Sequence, residues 1–361
     1  MKASRSRVSA LIALGILAGC GILPLSSSKS QDETAPNGMQ GSVRPAAVRP
    51  MPQGTSIPMH RRGPKRSGWL SPAAKVPGQR LLYVSQEYDN NVVIYAEKGS
   101  RNSPIGMITA GVNEPWGLYV DNHGTLYVAN QGYYYYYSSG GTVTAYPAGS
   151  TSPSLTFSQD LSRPLYAIVD SNGDVFVSNA GGYYYTTSGA SYAQGGTVVE
   201  YRSGSTSPYQ VLQTPGIEAD GMDFDRQGNL YVAYRTSDGT GSIEEFVPGS
   251  TQGKILGMVL NQPQGVLVDN TGNIVVVETG DTDRIDVFPP GQQTPSVEVP
   301  IRNTPNQLAI RQTEPRLFIA AEGGTVYGVR YPFLRTHPRT YVKEKLNTVI
   351  QGVALSNELD F

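Results

Sequence analysis

The sequence predicts an all-β protein, a six-bladed β-propeller whose ring is closed by the C-terminal strand, behind an export signal and a disordered tether. Three observations predict it. A strand–turn–strand motif recurs at blade-sized intervals, the first unit lacks its opening strand, and the last strand of the chain matches the missing one.

The N-terminus reads Met1-Lys2-Ala3-Ser4-Arg5-Ser6-Arg7, followed by an apolar run from Val8 to Ala18 and then Gly19-Cys20. A basic start, a short apolar stretch and small residues at a cleavage point make a secretory signal. The run is too short to span a bilayer, which takes roughly 20 residues. Its end, Leu17-Ala18-Gly19-Cys20, resembles the lipobox of bacterial lipoproteins. That resemblance implies removal of residues 1–19 and lipidation of the Cys20 thiol, so the first partner is a membrane, reached through the lipid anchor. Acyl chains contribute about 0.8 kcal/mol per buried CH₂, and several of them hold a protein stably. Gly21 follows the cysteine rather than an aspartate, which by the same resemblance implies the outer membrane or cell surface. Cys20 is the only cysteine, so no intramolecular disulfide forms.

Residues 20–78 read as the lipidated cysteine and a tether. They show no apolar periodicity, are rich in Ser, Pro, Gly and Gln, and carry scattered Arg44, Arg49, Arg61, Arg62, Lys65 and Arg66. Such a composition buries too little apolar surface to offset chain entropy. A coil of this length reaches on the order of 40 Å. The basic cluster reads as part of a solubilising linker.

Residues 79–361 read as the propeller. Four segments align: Gly117–Asn130, Tyr166–Asn179, Gly221–Tyr234 and Gly265–Glu278, with their aspartates Asp121, Asp170, Asp225 and Asp269 spaced 44 to 55 residues apart. In each, two short runs rich in aliphatic and aromatic residues flank Asp-x-x-Gly. The aspartate can accept backbone N–H bonds in the turn and the glycine can take positive φ, so the pair closes a hairpin. A third run follows, as in Thr142–Tyr146 and Thr197–Tyr201, then a Pro/Gly turn and a fourth run. Four strands with Gly-rich turns make one blade. A degenerate fifth unit runs from Leu308 to Tyr331. The first unit begins at Leu81-Leu82-Tyr83-Val84, and Gln351–Ser356 supplies the inner strand it lacks, giving six blades and no open edge.

These residues resemble the NHL-repeat propellers and, more loosely, the gluconolactonase and senescence-marker propellers, over residues 80–361. The pattern is one of architecture, and fold alone does not fix function. The residues just ahead of the inner strands fall at one channel mouth: Trp116, Leu165, Asp220, Gln264, Asn306 and Gln351, with Glu114, Glu218, Asn261 and Asn303 on flanking loops. In gluconolactonase-type propellers, carboxylates and an asparagine at this mouth hold a divalent ion that polarises a lactone carbonyl. The resemblance therefore implies that Asp220, Asn306 and a nearby glutamate hold one calcium, zinc or manganese ion. The sequence departs from that family at the first inner strand, where its glutamate has no match. None of the three histidines, His60, His123 and His337, is placed for the zinc site of NHL-type lyases. Asp223–Gly228, which has the look of a calcium loop, aligns as a hairpin turn.

Two insertions stand out between the second and third strands of adjacent blades. One carries Tyr133, Tyr134, Tyr135, Tyr136 and Tyr137; the other carries Tyr183, Tyr184 and Tyr185, with Tyr192 further on. Tyrosines in Gly/Ser loops offer stiff contact area with a polar tip, chemistry suited to an envelope glycan or a protein. The formal net charge is −1, and loss of Lys2, Arg5 and Arg7 with the signal makes it −4, which excludes nucleic acid as a partner. The expectation is a monomeric, membrane-anchored extracytoplasmic binding or scaffolding propeller that presents the tyrosine face. The alternative is a metal-dependent lactonase or lyase-like enzyme at the mouth.

Overall fold

The computed structural model describes residues 67–98, 103–132, 140–181, 183–186, 189–192, 195–280, 282–311, 314, 316–332, 339–343 and 348–356. Cys20, most of the tether and Tyr133–Tyr137 lie outside the described residues. Among the described residues no helix is long and apolar enough to cross a membrane.

Each repeat folds as the sequence predicts. In the turn after the inner strand of blade two, Asp121 Oδ1 accepts from the N–H groups of His123 and Thr125, each at 2.8 Å, and Gly124 has φ 78°. Asp170, Asp225 and Asp269 repeat the arrangement with Gly173, Gly228 and Gly272 at φ 84°, 82° and 83°. The turn aspartates are thus satisfied by backbone donors two and four residues ahead.

From the channel outward, blade one is Ile350–Leu355, Leu81–Gln86, Asn91–Ala96, Gly106–Ile108 and Trp69–Leu70. Blade two is Pro115–Val120, Leu126–Asn130, Thr142–Tyr146 and Leu155–Phe157. Blade three is Arg163–Val169, Val175–Ala180, Thr197–Tyr201 and Pro208–Gln213. Blade four is Glu218–Phe224, Leu230–Arg235 and Thr240–Phe246, with the short pieces Lys254–Ile255 and Leu260–Asn261 sharing the last strand's outer edge. Blade five is Pro263–Val268, Ile274–Glu278, Arg284–Phe288 and Val297–Pro300, and blade six is Pro305–Arg311, Arg316–Ala321, Thr325–Arg330 and Arg339–Lys343. The predicted closure is present. Leu82, Tyr83 and Val84 pair with Leu355, Ala354 and Val353, and the Leu81 N–H donates to Ser356 Oγ at 2.8 Å.

The propeller begins about ten residues before the predicted boundary at 78. Trp69 and Leu70 pair with Met107 and Gly106 as a fifth strand of blade one, and Ala74, on the short 3₁₀ turn Pro72–Lys75, is fully buried. A two-residue strand has no periodicity to read, so no pattern in the chain marks the end of the tether.

The buried apolar residues fall into six clusters, one in each seam between neighbouring blades. Within Ile274–Val277, Ile274 and Val276 enter the seam with blade four, while Val275 and Val277 enter the seam with blade six. A strand flanked on both faces is apolar throughout, and the alternation of side chains across it distributes each residue to one seam or the other.

Candidate functional site

Every inner strand carries one extra residue against the second strand. The pairing breaks between Pro115 and Leu118 in blade two, Ala219 and Met222 in blade four, Pro263 and Val266 in blade five, and Pro305 and Leu308 in blade six. Blades one and three break at Ile350/Val353 and Pro164/Tyr166. A bulge releases residues from the ladder and re-aims them. The released positions are the predicted mouth set: Trp116, Leu165, Asp220, Gln264, Asn306 and Gln351. The residue after each forms a belt around the channel: Gly117, Tyr166, Gly221, Gly265, Gln307 and Gly352.

Four of the six belt positions are glycine because the inner strands approach closely there. A Cβ at Gly117 would lie 2.5 Å from the Leu165 carbonyl oxygen, and one at Gly352 would lie 2.3 Å from that of Trp116. The two large belt residues come from opposite blades and cross the channel. Tyr166 of blade three donates its hydroxyl to the Asn306 carbonyl of blade six at 2.9 Å. Gln307 of blade six accepts at Oε1 from the N–H groups of Leu118 and Val353, and its Nε2 donates to the Leu118 carbonyl at 2.6 Å. These two side chains cross the channel at the belt, between its two mouths.

Above the belt lies a carboxylate–amide network. Asn306 Nδ2 donates to Gln351 Oε1 at 2.5 Å, Gln351 Nε2 donates to Glu87 Oε2 at 2.7 Å, and Gln131 Nε2 donates to Glu87 Oε1 at 3.0 Å. Burial pushes the Glu87 carboxyl up to about 7; the Gln351 bond opposes that shift, and Glu114 and Glu322 reinforce it. Asp220 is 1% exposed, and burial pushes its carboxyl up to about 8 against the attraction of Arg163. Its Oδ2 and the Trp116 Nε1 are both buried without a hydrogen-bond partner, an acceptor and a donor left open in the same mouth.

Glu218 forms ion pairs with Arg163 and Arg235, bridging blades three and four beside Asp220. Glu114 sits half-buried at the tip of its loop with φ 49°, and its N–H donates to Asn90 Oδ1 at 2.7 Å. Gln264 is buried in its bulge. Asn261 and Asn303 lie exposed on the rim, Asn303 donating to the Tyr327 hydroxyl at 3.1 Å. Asp220, Asn306, Gln351 and Trp116 thus gather at one mouth. Sequence reasoning missed Glu87, Gln131, Arg163 and the two residues that cross the channel. Glu87, Gln131, Thr279 and Glu322 each follow the last residue of a second strand, and each donates its N–H to the loop leading into its own blade's inner strand. Reading that position in register across the repeats is the signal that finds them.

The implied metal does not fit this donor set. Glu218 is committed to the guanidinium groups of Arg163 and Arg235. Among the described residues no three His, Cys, Asp or Glu converge on a point where an ion would sit.

The blade-three insertion is a β-hairpin, with Tyr183–Thr186 paired against Gly189–Tyr192 and Tyr183 directly opposite Tyr192. It leaves the end of Val175–Ala180, where Ala180 pairs with Arg163, so it rises on the same side as the carboxylate–amide mouth.

No protein-family model matches the chain, and the search of curated proteins found no match. Solved structures do match. Kuenenia stuttgartiensis hydrazine synthase aligns at TM-score 0.53 and 14% identity over 77% of this chain and 79% of that one. A candidate 6-phosphogluconolactonase from Bacteroides fragilis aligns at TM-score 0.53 and 10% identity, covering 78% of this chain and 98% of its own. Another from Bacteroides uniformis aligns at 0.51 and 9%, covering 77% and 99%. At such identities the likeness establishes the fold, a six-bladed β-propeller.

Proposed function

We propose that the chain is a lipid-anchored, extracytoplasmic binding propeller whose upper mouth and neighbouring tyrosine hairpin take a polar ligand, a glycan of the cell envelope. The open acceptor at Asp220 and open donor at Trp116 carry this reading, because buried polar atoms without partners are rare unless a bound molecule or water completes them. A sugar supplies hydroxyls that donate and accept, and its apolar face stacks on indole and phenol rings. The amides of Gln351 and Gln131 hold Glu87 in place, so the mouth is preorganised.

The test is retention of the full chain by insoluble envelope polysaccharide. Replacing Tyr183, Tyr185 and Tyr192 by serine together with Trp116→Ala is expected to lower retention at least tenfold while the thermal unfolding midpoint stays near that of the parent. Unchanged retention sinks the glycan reading, and retention by a protein fraction alone would replace it with a protein partner.

A second reading is favoured by the two raised carboxyls. Groups that titrate near neutrality in a cleft are suited to general acid–base work, and Asp220 and Glu87 share the field of one arginine, Arg163. The candidate lactonases among the structural neighbours make sugar lactones the substrates to screen. Turnover that is lost in Asp220→Asn would support this reading, and turnover equal to the parent's would remove it.

A further inference from the structure

Below the belt, on the side of the Asp-x-x-Gly turns, the channel opens into a second cavity of about 410 Å³. All six inner strands line it, with Tyr166 and Gln307 on the side towards the belt. Apolar side chains, among them Leu118, Ile168, Phe224, Leu267, Ile310 and Leu355, share its lining with polar groups that contribute somewhat more of the surface. Several wall residues, including Phe224, Ala309, Ile310 and Leu355, keep part of their surface open although they belong to innermost strands. The volume lies in the range of small-molecule sites.

The charged side chains of the lining are net negative. The lining holds the carboxylates of Asp223, Asp225 and Asp269 against the single guanidinium of Arg226, an excess of two negative charges. Asp225 and Asp269 are occupied as turn aspartates near the opening. Asp223 lies deeper. Its Oδ1 accepts from the Phe224 N–H at 2.9 Å and its Oδ2 from the Val268 N–H at 2.8 Å. A carboxylate has about four acceptor sites, so two remain for a ligand. Burial pushes this carboxyl up to about 7, against those two bonds, and a cation placed beside it would reverse the shift.

We propose that this lower cavity is a second, independent ligand site, which takes a compact organic cation: a basic nitrogen held by Asp223 on an apolar frame that fills the space between the inner strands. It is separate from the glycan-binding mouth and stands or falls without it.

The test is calorimetric titration of the full chain at pH 8 with 1-adamantylamine and with 1-adamantanol, its neutral counterpart of the same shape. The amine is expected to bind at one site, at least tenfold more tightly than the alcohol. In Asp223→Asn that preference should vanish while the alcohol's affinity is kept. In Ala309→Phe, which fills the cavity, both affinities should fall at least tenfold. Circular dichroism and the unfolding midpoint establish that each variant is folded, and should Ala309→Phe fail to fold, the Asp223→Asn comparison decides alone. No binding of the amine, or amine binding that survives Asp223→Asn with its preference intact, would overturn the proposal; in the latter case the cation sits elsewhere, as on the Asp220 and Glu87 carboxyls.

Discussion

Asp220 is a costly residue to keep where it is. A carboxylate removed from water without a full set of hydrogen bonds is strongly disfavoured, and the group responds by holding its proton. Its carboxyl titrates at about 8 in the folded chain because of burial, with Arg163 opposing. A carboxyl raised in this way stays protonated in the folded state after the unfolded chain has released its proton. Its contribution to stability is therefore fully present below about pH 4 and is lost progressively as the pH rises to about 8. Glu87, pushed up to about 7, acts in the same direction. Asp220→Asn removes one of these slopes, so the variant should gain about 1–3 kcal/mol over the parent between pH 4 and pH 8. Denaturant unfolding at the two pH values measures it, and parallel pH profiles would show that Asp220 is ionised throughout.

At the scale of strands and turns, the repeat unit was legible because its chemistry is local. Asp121 and Gly124 close a turn with bonds two and four residues long, and those positions stand side by side in the sequence. The bulges were not legible as bulges, yet they fall on the residues singled out just ahead of each inner strand, since the lost pairing at Trp116-Gly117 or Asp220-Gly221 is what frees those residues to face the channel. Contacts between blades were out of reach. Gln307 meets Leu118 from 189 residues away, and Glu218 meets Arg163 from 55 away, with nothing local to announce either pair. The Glu218 side chain is 1% exposed and that of Arg163 6%. Glu218→Gln leaves two guanidinium groups without their carboxylate, and the expected loss is about 3–5 kcal/mol, read from denaturant unfolding. A loss under about 1 kcal/mol would mean that solvent reaches the pairs.

The whole molecule is a ring that closes only when the last strand arrives. Ile350–Leu355 is the inner strand of the blade that also holds the first strands of the domain, and Val353 and Ile350 sit in the seam with blade six. A chain ending at Thr348 should therefore lose cooperative unfolding altogether, seen as a broad, sloping thermal transition. A sharp transition in that truncated chain would show that five complete blades hold the fold without closure. Within the ring, Tyr166 and Gln307 cross the channel between an upper mouth of carboxylates and amides and a lower cavity whose lining mixes apolar side chains with the carboxylates of Asp223, Asp225 and Asp269. The sequence placed the upper mouth through the register of its repeats. It concealed the lower cavity, because wall residues such as Phe224 and Ile310 read as ordinary core until the width of the channel is known.

In the proposed function a polar ligand completes Asp220 and Trp116 in the upper mouth. The chain has two tryptophans, Trp69 on the outer edge of blade one and Trp116 in the mouth. With Trp69→Phe in the full chain, indole fluorescence reports on Trp116 alone. Titration with soluble fragments of envelope glycan should give a saturable change in intensity and wavelength that Asp220→Asn weakens at least tenfold. A glycan that retains the protein yet leaves this fluorescence unchanged would rule out binding at Asp220 and Trp116, because the ligand would then be held somewhere other than the mouth.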